Sequence, residues 1–339
     1  MSASRLAVRN ETDVSEDADF RPNRMVSVII IFLNAEKFMQ EAIDSVFAQI
    51  YRDWELWLVD DGSTDASTEM ARLYAQRYPG QVGYLEHKDH QNRGMSASRN
   101  LGIQHAKGHY IAFLDADDVW LPHKLEQQVA LLESHSEAAM VYGPAQQWYS
   151  WARTSHDSHG DSVIKRSGGP SNVLLKPPTL LPHLLRETVI EPLPSGILVR
   201  RAVVDQIGGF EEAFRGIFED LVFCTKLCLE APILIVDECW YRWRQHPESC
   251  CALVERQGQY PSAWLMLLSW LEGYLSEKKV TDREVWRVLQ EKLWPYRHPT
   301  LYHLLSRTRR RVQQMQSLLR LIARRTLPPA ARLWLQRFR

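Results

Sequence analysis

The sequence lacks long apolar segments, and this absence bears on where the protein resides. Its most apolar stretches, Val26–Leu33 and Ala263–Leu271, are about half of the roughly 18 residues that a membrane-spanning helix needs. The amino terminus has no basic segment followed by an apolar one, which is the pattern of a secretory signal. We therefore expect a cytoplasmic protein with a polar, flexible tail at residues 1–24.

Cysteine is also scarce, and its spacing argues against a disulfide framework. The five cysteines are an odd number, irregularly spaced in a chain of 339 residues. Cys224 and Cys228 lie one helical turn apart and suggest a zinc site with His246, but the paired ligand spacing of such sites is missing. We predict reduced thiols, which suit a cytoplasmic protein.

The chain has no net charge, yet its charges are unevenly distributed. Ten of the 41 basic residues are arginines within residues 300–339, a segment that contains no lysine and no acidic residue. There, Ala331, Trp334, Leu335 and Phe338 repeat at helical spacing. An arginine-rich amphipathic helix favours either packing on protein or peripheral contact with the anionic inner membrane surface, rather than nucleic acid.

Predicted strands and helices alternate along the first half of the chain. Val26–Leu33 is a continuous apolar run typical of a strand that is buried on both faces. Asn34 is a candidate cap for a helix whose apolar face includes Ile43 and Ile50. The further predicted strands are Trp54–Asp60, Val82–Glu86, Tyr110–Leu114 and Ala138–Tyr142, and the further helices are Asp65–Tyr78, Gly94–Ala106 and Leu121–Glu133. This order predicts an α/β fold with a mainly parallel central sheet flanked by helices.

The second half of the sequence is less regular. Residues 144–190 predict a long functional loop or small subdomain, whose Trp148, Tyr149 and Trp151 are candidates for stacking on an acceptor. Beyond it we predict strands at 195–200 and 232–236, a helix at 220–230, and helices from Pro261 onward. The domain organisation predicted is one domain at 25–255, divided into halves 25–143 and 144–255, and a basic helical extension at 256–339.

Two acidic clusters follow predicted strands. Asp60 and Asp61 end the second strand, and Asp115, Asp117 and Asp118 follow the fourth. Either cluster alone is typical of a turn with a helix cap. Open α/β sheets, however, bind ligands beyond the carboxyl ends of their strands, where both clusters fall. Carboxylates gathered there repel one another unless a cation lies among them, which predicts Mg²⁺ or Mn²⁺.

Six segments in the same order resemble the inverting family 2 glycosyltransferases of the GT-A fold. They are VSVIIIFLN, LVDDGSTD, GMSASRNLG, FLDADDVW, GGF and FED, spread over about Val26 to Ser249. The resemblance implies a nucleotide-sugar half at 25–143 and an acceptor and base half at 144–255.

The resemblance also implies roles for individual residues. The metal, Mn²⁺ or Mg²⁺, would be held by Asp117 and Asp118. Tyr241-Arg242 and His246 resemble a late element that closes over the diphosphate. Leu33 stands where relatives place an aromatic ring against the base. The residues implied to contact the donor are Asn34, Asp60, Asp61, Arg99, Asp115 and His246.

The acidic pair Glu219-Asp220 matches the pair that carries the catalytic base, with Asp220 as the base itself. Its alternative role is to complement a helix dipole, because both acids begin a helix. The resemblance implies transfer of a sugar from a nucleotide diphosphate donor, with a UDP-sugar favoured, to a saccharide or lipid-linked hydroxyl in polysaccharide or glycan synthesis. One base opposite the leaving group gives inversion.

Two other functions compete with this one. A sugar nucleotidyltransferase needs a glycine-rich phosphate loop after its first strand, and residues 33–36 contain no glycine. A catalytically silent scaffold that binds a sugar nucleotide at the membrane would not need the acidic residues Asp117 and Asp220.

Overall fold

The computed structural model describes residues 24–152, 160–164, 169–302 and 304–305, and within them strands and helices alternate as far as the fourth strand. The strands are β1 (Val26–Phe32), β2 (Trp54–Asp60), β3 (Val82–Glu86), β4 (Tyr110–Asp115), β5 (Val119–Trp120), β6 (Met140–Tyr142), β7 (Gln146–Trp148), β8 (Ser162–Val163), β9 (Val173–Leu175), β10 (Leu198–Arg200), β11 (Ile233–Ile235) and β12 (Tyr241–Arg244). The helices are α1 (Met39–Phe47), α2 (Ser67–Arg77), α3 (Met95–His105), α4 (Lys124–Ser134), α5 (Leu180–Leu185), α6 (Arg201–Ile207), α7 (Glu219–Glu230), α8 (Cys250–Arg256), α9 (Tyr260–Glu277) and α10 (Arg283–Arg297).

The main sheet has eight strands in the order β3-β2-β1-β4-β10-β6-β11-β9. Strands β3, β2, β1 and β4 are parallel, as are β6 and β11, whereas β10 and β9 run antiparallel to their neighbours. The prediction of a mainly parallel sheet flanked by helices is confirmed. Because β10, β11 and β9 come from the second half of the chain, both halves contribute to one sheet.

The pattern of strand β1 explains why helices cover both faces of this sheet. Every residue of β1 is buried. Because successive side chains of a strand point to opposite faces, both faces of β1 must be covered. Val28 and Ile30 pack in a core that includes Ile43 of α1, whereas Ile29 and Ile31 pack in a second core on the other face. A strand with an apolar residue on each side can only lie at the centre of three layers.

Three predicted details of the first half are wrong. Asn34 does not cap α1, because that helix begins at Met39 and its N-cap residue makes no side-chain hydrogen bond. Ile50 lies beyond the end of α1 and is 44% exposed rather than part of its apolar face. Helix α4 begins at Lys124 instead of residue 121, because Val119 and Trp120 form β5, which pairs with β12, and residues 121–123 form the turn after it.

A second, four-stranded sheet lies beside the first, in the order β5-β12-β7-β8. Two of its strands, β7 and β8, belong to the region 144–190 that was predicted as a loop or subdomain, and β9 from that region joins the main sheet. Strand β5 follows the Asp115–Asp118 loop directly. The second sheet therefore connects that loop to the late segment 241–246.

The helices after residue 256 pack on the main domain. Leu268 and Leu271 of α9 and Val288 and Leu289 of α10 are buried in the same core as Ile29 of β1. None of the helices in the described ranges is long and apolar enough to cross a membrane. The amphipathic stripe predicted around residue 334 lies outside the described residues.

Candidate active site

The predicted acidic clusters lie at one edge of the main sheet. Strands β2 and β4 flank β1 on either side and run parallel to it. Asp60 ends β2 and Asp115 ends β4, at the carboxyl ends of the two parallel strands that flank β1. Sequence reasoning placed these loops at a common edge, and the register of the sheet brings them there.

Asp60 is fully buried and anchors the turn from β2 to α2. One carboxylate oxygen accepts the backbone N–H of Gly62 (3.1 Å) and Ser63 (2.7 Å), and the other accepts the hydroxyl of Thr68 (2.5 Å). Gly62 has a φ of 88°, and a Cβ there would lie 2.8 Å from the carbonyl oxygen of His90. The turn thus requires glycine, and a donor contact by Asp60 stays a prediction.

Asp61 holds the segment that leads into α3. Its carboxylate accepts the backbone N–H of Arg93 (2.7 Å) and Gly94 (3.0 Å), and the Nε2 atom of His87 lies 3.6 Å away. Gly94 has a φ of 90°, in the left-handed region that favours glycine. Burial lowers the pKa of His87, an effect that the charge of Asp61 opposes. Asp61 therefore fixes the loop beside the predicted donor site.

The loop after β1 is tied to the loop after β2. Asn34 has a φ of 51°, and its side-chain oxygen accepts the backbone N–H of Thr64 at 2.7 Å. Its own backbone N–H donates to the hydroxyl of Ser63 at 3.0 Å. Glu36 accepts from the backbone of Ala66 in the same way. Asn34 therefore lies at the predicted donor edge, where its side chain shapes the loop.

Asp117 and His246 face each other across the loop that follows β4. The carboxylate Oδ2 of Asp117 lies 2.9 Å from Nε2 of His246, and the Asp117 side chain is 32% exposed. The other ring nitrogen of His246 is buried and has no hydrogen-bond partner among the described residues. The pair joins two distant parts of the sequence that were both predicted to lie near the diphosphate.

Asp118 is enclosed by protein, in contrast to Asp117. Its carboxylate accepts the hydroxyl of Ser195 at 2.6 Å and the backbone N–H of Arg244 at 3.1 Å. Burial, followed by the charges of Asp117 and Asp115, raises the pKa of Asp118 well above its usual range. Asp118 stabilises the loop from the protein interior, whereas the side chain of Asp117 is partly exposed to solvent. Asp117 is therefore the better placed of the two predicted metal ligands.

Arg99 connects the two acidic parts of the site. Its guanidinium is buried and donates to Asp115 at 2.8 Å and to Glu219 at 2.7 Å. Burial alone would lower the pKa of Arg99, but the two carboxylates outweigh it and raise the pKa. Burial in turn raises the pKa of both Asp115 and Glu219, against the effect of Arg99. Arg99 is thus a buried cation that fixes two acidic loops, rather than part of a surface salt bridge.

Asp220 follows Glu219 in the first turn of α7. Its carboxylate accepts the backbone N–H of Leu221 at 2.7 Å. Burial, with a further contribution from the charge of Glu219, raises the pKa of Asp220 to about 8. A carboxyl group with a pKa this close to neutrality is typical of acid–base catalysis. The residue before the helix, Phe218, has a φ of 72°, which is unusual for an aromatic side chain.

Sequence reasoning missed Arg244, which is buried behind the Asp117 loop. Its Nε donates to the backbone oxygen of Asp117 at 2.7 Å, and its guanidinium pairs with Glu41 at 3.0 Å. The guanidinium also stacks on Trp148 and Trp151, 4.4 Å and 5.1 Å from the ring centroids. Both tryptophans that were predicted to meet an acceptor therefore pack against Arg244.

Comparison with known proteins identifies the family to which this site belongs. The family described as glycosyl transferase family 2 matches residues 27–208, which contain both acidic loops and Arg99. The chain belongs to glycosyl transferase family 2. Relatives include a putative glycosyltransferase, EpsE, of Bacillus subtilis, with 41% identity over 34% of this chain and 41% of that protein.

Two other relatives of the family 2 chain extend the comparison. An uncharacterized glycosyltransferase of Nostoc is 26% identical over 74% of this chain and 75% of its own length. The putative teichuronic acid biosynthesis glycosyltransferase TuaG of Bacillus subtilis is 36% identical over 35% of this chain. The chain spans less than half the length of EpsE and TuaG, at 41% and 46%.

Solved structures assign the GT-A fold to this family 2 chain. A mannosyltransferase from Pyrobaculum calidifontis, in complex with GDP-Man and Mn²⁺, superposes with a TM-score of 0.55 at 17% identity, covering 96% of this chain and 86% of that one. S. aureus TarS 1-349 in complex with UDP-GlcNAc superposes with a TM-score of 0.52 at 19% identity, covering 67% and 60%. At these identities the likeness concerns the fold.

The side chains at the Asp117 loop fit a divalent cation that also binds phosphate. A carboxylate oxygen and an imidazole nitrogen already face each other in Asp117 and His246. Across the described ranges, no three histidine, cysteine or acidic side chains converge as a complete metal cage. A site with few protein ligands suits Mg²⁺ or Mn²⁺, because these ions commonly bind one or two carboxylates together with substrate phosphates.

A buried polar network behind the site was also missed from the sequence. Ser195 accepts the backbone N–H of Asp115 (3.1 Å) and donates to Asp118, and its carbonyl accepts the indole N–H of Trp120 (2.8 Å). Nearby, Lys124 is fully buried and donates to the carbonyl of Ile197 at 3.1 Å, and burial lowers its pKa. An isolated serine or lysine in sequence carries no signal of burial, so only the packing reveals these contacts.

Proposed function

We propose that the protein is an inverting, metal-dependent glycosyltransferase in which Asp220 is the catalytic base. The observation that carries this proposal is the buried contact of Arg99 with both Asp115 and Glu219. It joins the loop of the predicted donor and metal site to the first turn of α7, which carries Asp220. A base must lie next to the donor to act on an acceptor hydroxyl that attacks it.

A nucleotide diphosphate sugar is the donor in this proposal. Asp117 and His246 would hold Mn²⁺ or Mg²⁺ against the diphosphate, with Asp115 beside the ribose. The proposal is supported by fold neighbours in complex with UDP-GlcNAc and with GDP-Man and Mn²⁺. A UDP-sugar is favoured, although Leu33, which is 45% exposed at the end of β1, provides no aromatic ring for the base.

The transfer step follows from the positions of the acidic groups. The ionised carboxylate of Asp220 takes the proton of an acceptor hydroxyl, whose oxygen then forms a bond to the anomeric carbon. The bond from that carbon to the diphosphate oxygen breaks, and its electron pair leaves with the nucleoside diphosphate. The divalent cation, when bound, supplies Lewis-acid stabilisation of the departing diphosphate. A single displacement opposite the leaving group inverts the anomeric configuration.

Glu219 and Arg99 have a supporting role in this step. Both are buried, and the single positive charge of Arg99 offsets part of the combined negative charge of Glu219 and Asp115. Without Arg99, the buried carboxylate of Glu219 and the partly exposed carboxylate of Asp115 would lack a counterion and raise the energy of further negative charge. Arg99 thereby permits Asp220 to ionise beside a diphosphate.

We further propose a role in polysaccharide or glycan synthesis on the cytoplasmic side of a membrane. The name of the relative TuaG, a putative teichuronic acid biosynthesis glycosyltransferase, supports a polysaccharide product. Leu301 and Leu305, at the end of the described chain, are 53% and 59% exposed, and the arginine-rich sequence follows them. Exposed apolar side chains next to arginines favour contact with an anionic lipid surface, where lipid-linked acceptors are found.

The proposed function is tested by incubating the protein with a panel of UDP- and GDP-sugars and Mn²⁺. Release of nucleoside diphosphate without acceptor distinguishes an enzyme from a silent scaffold. With an acceptor, the anomeric configuration of the product, measured by NMR, tests inversion. Wild-type protein that releases no nucleoside diphosphate from any donor, while binding one tightly, would support the scaffold instead.

A further inference from the structure

We propose that a two-part groove beside Asp220 binds the acceptor as a saccharide chain of at least two sugar units, with Trp243 as the stacking platform for the sugar nearest the base. The proposal rests on the proposed function, since it identifies the acceptor of the same reaction. It differs from the sequence-based prediction, which assigned acceptor stacking to Trp148, Tyr149 and Trp151.

The inner part of the groove is a cleft of about 400 Å³. Its floor is the second sheet, where Trp243 of β12 pairs with Gln147 of β7. Its wall is the segment that contains Glu191 and Leu193. One aromatic face, an amide and a carboxylate in a cleft of this size match a sugar ring, which has apolar C–H faces and a rim of hydroxyl groups.

The wall segment of this inner cleft connects it to the catalytic machinery. Leu193 lies two residues before Ser195, whose hydroxyl donates to Asp118 at 2.6 Å. On the other side, the thiol of Cys224 in α7 contacts the carbonyl oxygen of Pro192 at 3.7 Å. The segment 190–195 is therefore held between the Asp117 loop and the helix that begins with the base.

Electrostatics indicate that the inner cleft lies in the neighbourhood of the proposed base. Glu191 lines the cleft, and its negative charge is close enough to Asp220 to contribute to the raised pKa of that carboxyl. A sugar bound between Trp243 and Glu191 would thus present a hydroxyl on the side of Asp220. The acceptor oxygen needs this position for attack on the donor.

The outer part of the groove is a second cleft of about 350 Å³. It shares Val163, Ile164 and Ile190 with the inner cleft, so the two clefts adjoin each other. The residues that line only the outer cleft include the polar residues Thr188 and Asp237. Two adjoining clefts, each in the size range of a small-ligand site, fit consecutive sugars of one chain better than a single monosaccharide.

The binding test uses an array of monosaccharides, disaccharides and longer oligosaccharides, probed with the full chain in the presence of UDP and Mn²⁺. We expect at least one series in which the disaccharide binds about tenfold more tightly than its monosaccharide, as a second occupied subsite requires. Trp243→Ala should weaken binding by about tenfold, whereas Trp243→Phe, which keeps an aromatic face, should retain most of it.

A bulky substitution tests the continuity of the groove. Val163 belongs to both clefts and is 38% exposed, so Val163→Trp should close the passage and remove the advantage of longer chains while monosaccharide binding persists. Leu73→Trp, at a 54% exposed position on α2, is the matched control and should leave the length preference unchanged. Binding that depends on a lipid-pyrophosphate carrier and ignores sugar-chain length would overturn the proposal.

Failure of this inference and failure of the proposed function have different signatures. If wild-type protein releases nucleoside diphosphate but Trp243→Ala leaves acceptor binding intact, the groove assignment is wrong and the enzyme assignment stands. If wild-type protein binds disaccharides through Trp243 yet hydrolyses no donor, the groove assignment stands without the proposed function.

Discussion

Replacement of Asp220 by Asn removes the proposed base. In the wild-type protein, protonation of Asp220 should inactivate the same base as the pH falls. With a pKa of about 8, Asp220 is about one-tenth ionised at pH 7 and about nine-tenths ionised at pH 9. Because only the ionised carboxylate accepts a proton, kcat/KM should rise about tenfold between these two values. Asp220→Asn should reduce turnover by about 10²–10⁴-fold and abolish the rise.

The assay measures nucleoside diphosphate release with saturating acceptor from pH 6 to 9.5, at constant ionic strength. Asp205→Asn, an exposed carboxyl on α6, is the matched control and should keep the wild-type profile. Other charges act on Asp220 and must remain intact in the variants compared. The titratable groups that interact with it electrostatically are Glu219, Arg99, Glu191, Cys224, Tyr241, Cys250 and Cys251.

Stability measurements separate loss of the base from loss of the fold. The folded protein holds the proton of Asp220 more tightly than the unfolded chain does, because the pKa is raised from 3.8 to about 8. As the pH rises from 3.8 to about 8, the unfolded chain loses this proton while the folded protein keeps it, so the free energy of unfolding falls. This loss of stability is complete above about pH 8. Asp220→Asn should melt at or above the wild-type temperature at pH 8.5. A flat wild-type profile with near-normal turnover in Asp220→Asn would refute the reasoning.

Three further predictions address the metal, the buried arginine and the carboxyl-terminal tail. Calorimetric affinity for UDP or GDP should depend on Mn²⁺ in the wild type and lose that dependence in Asp117→Asn; equal wild-type affinity with and without chelator would contradict metal binding. Arg99→Met should lower the free energy of unfolding by about 3–5 kcal/mol in urea titrations, because the buried Glu219 carboxylate is left without its counterion and Asp115 loses its ion pair. The exposed Arg52→Met should change it by at most about 0.5 kcal/mol. The full chain should co-sediment with anionic vesicles and be released by salt, whereas a chain ending at Pro299 should stay in the supernatant; equal behaviour of both would make the tail a protein-packing element.

Periodic hydrophobicity was enough to predict most of the main sheet. Strands β2 and β3 have the predicted bounds, and β1 and β4 differ from the prediction by one residue. Strands β1 and β4 are buried along almost their whole length, so their sequences are nearly all apolar and stand out from the turn residues beyond them. Short strands such as β8 and β9 could not be predicted, because two or three residues show no period.

The sequence predicts that the acidic residues of the candidate site share one sheet edge, where the structure also has them, but it does not predict their separate surroundings. Asp117 and Asp118 are adjacent in sequence, yet one is 32% exposed and the other is enclosed by Ser195 and Arg244. Asn34 has the composition of a helix cap, but it bonds the neighbouring loop instead. Such outcomes depend on contacts between residues that lie 30 to 129 positions apart, and a local pattern contains no information about them.

The carboxyl-terminal helices show how a distant part of the chain supports the base. Phe218 holds a left-handed backbone conformation directly before α7, which costs a non-glycine residue about 1–3 kcal/mol unless the surroundings enforce it. The enforcing contacts come from α9, where the rings of Tyr260 and Trp264 each lie 5.2 Å from that of Phe218. Leu267 of the same helix is buried with Val222 of α7. Helix α9 therefore packs against the start of α7, which carries Glu219 and Asp220, and the region that the sequence predicts as a basic extension begins with a structural support of the candidate active site.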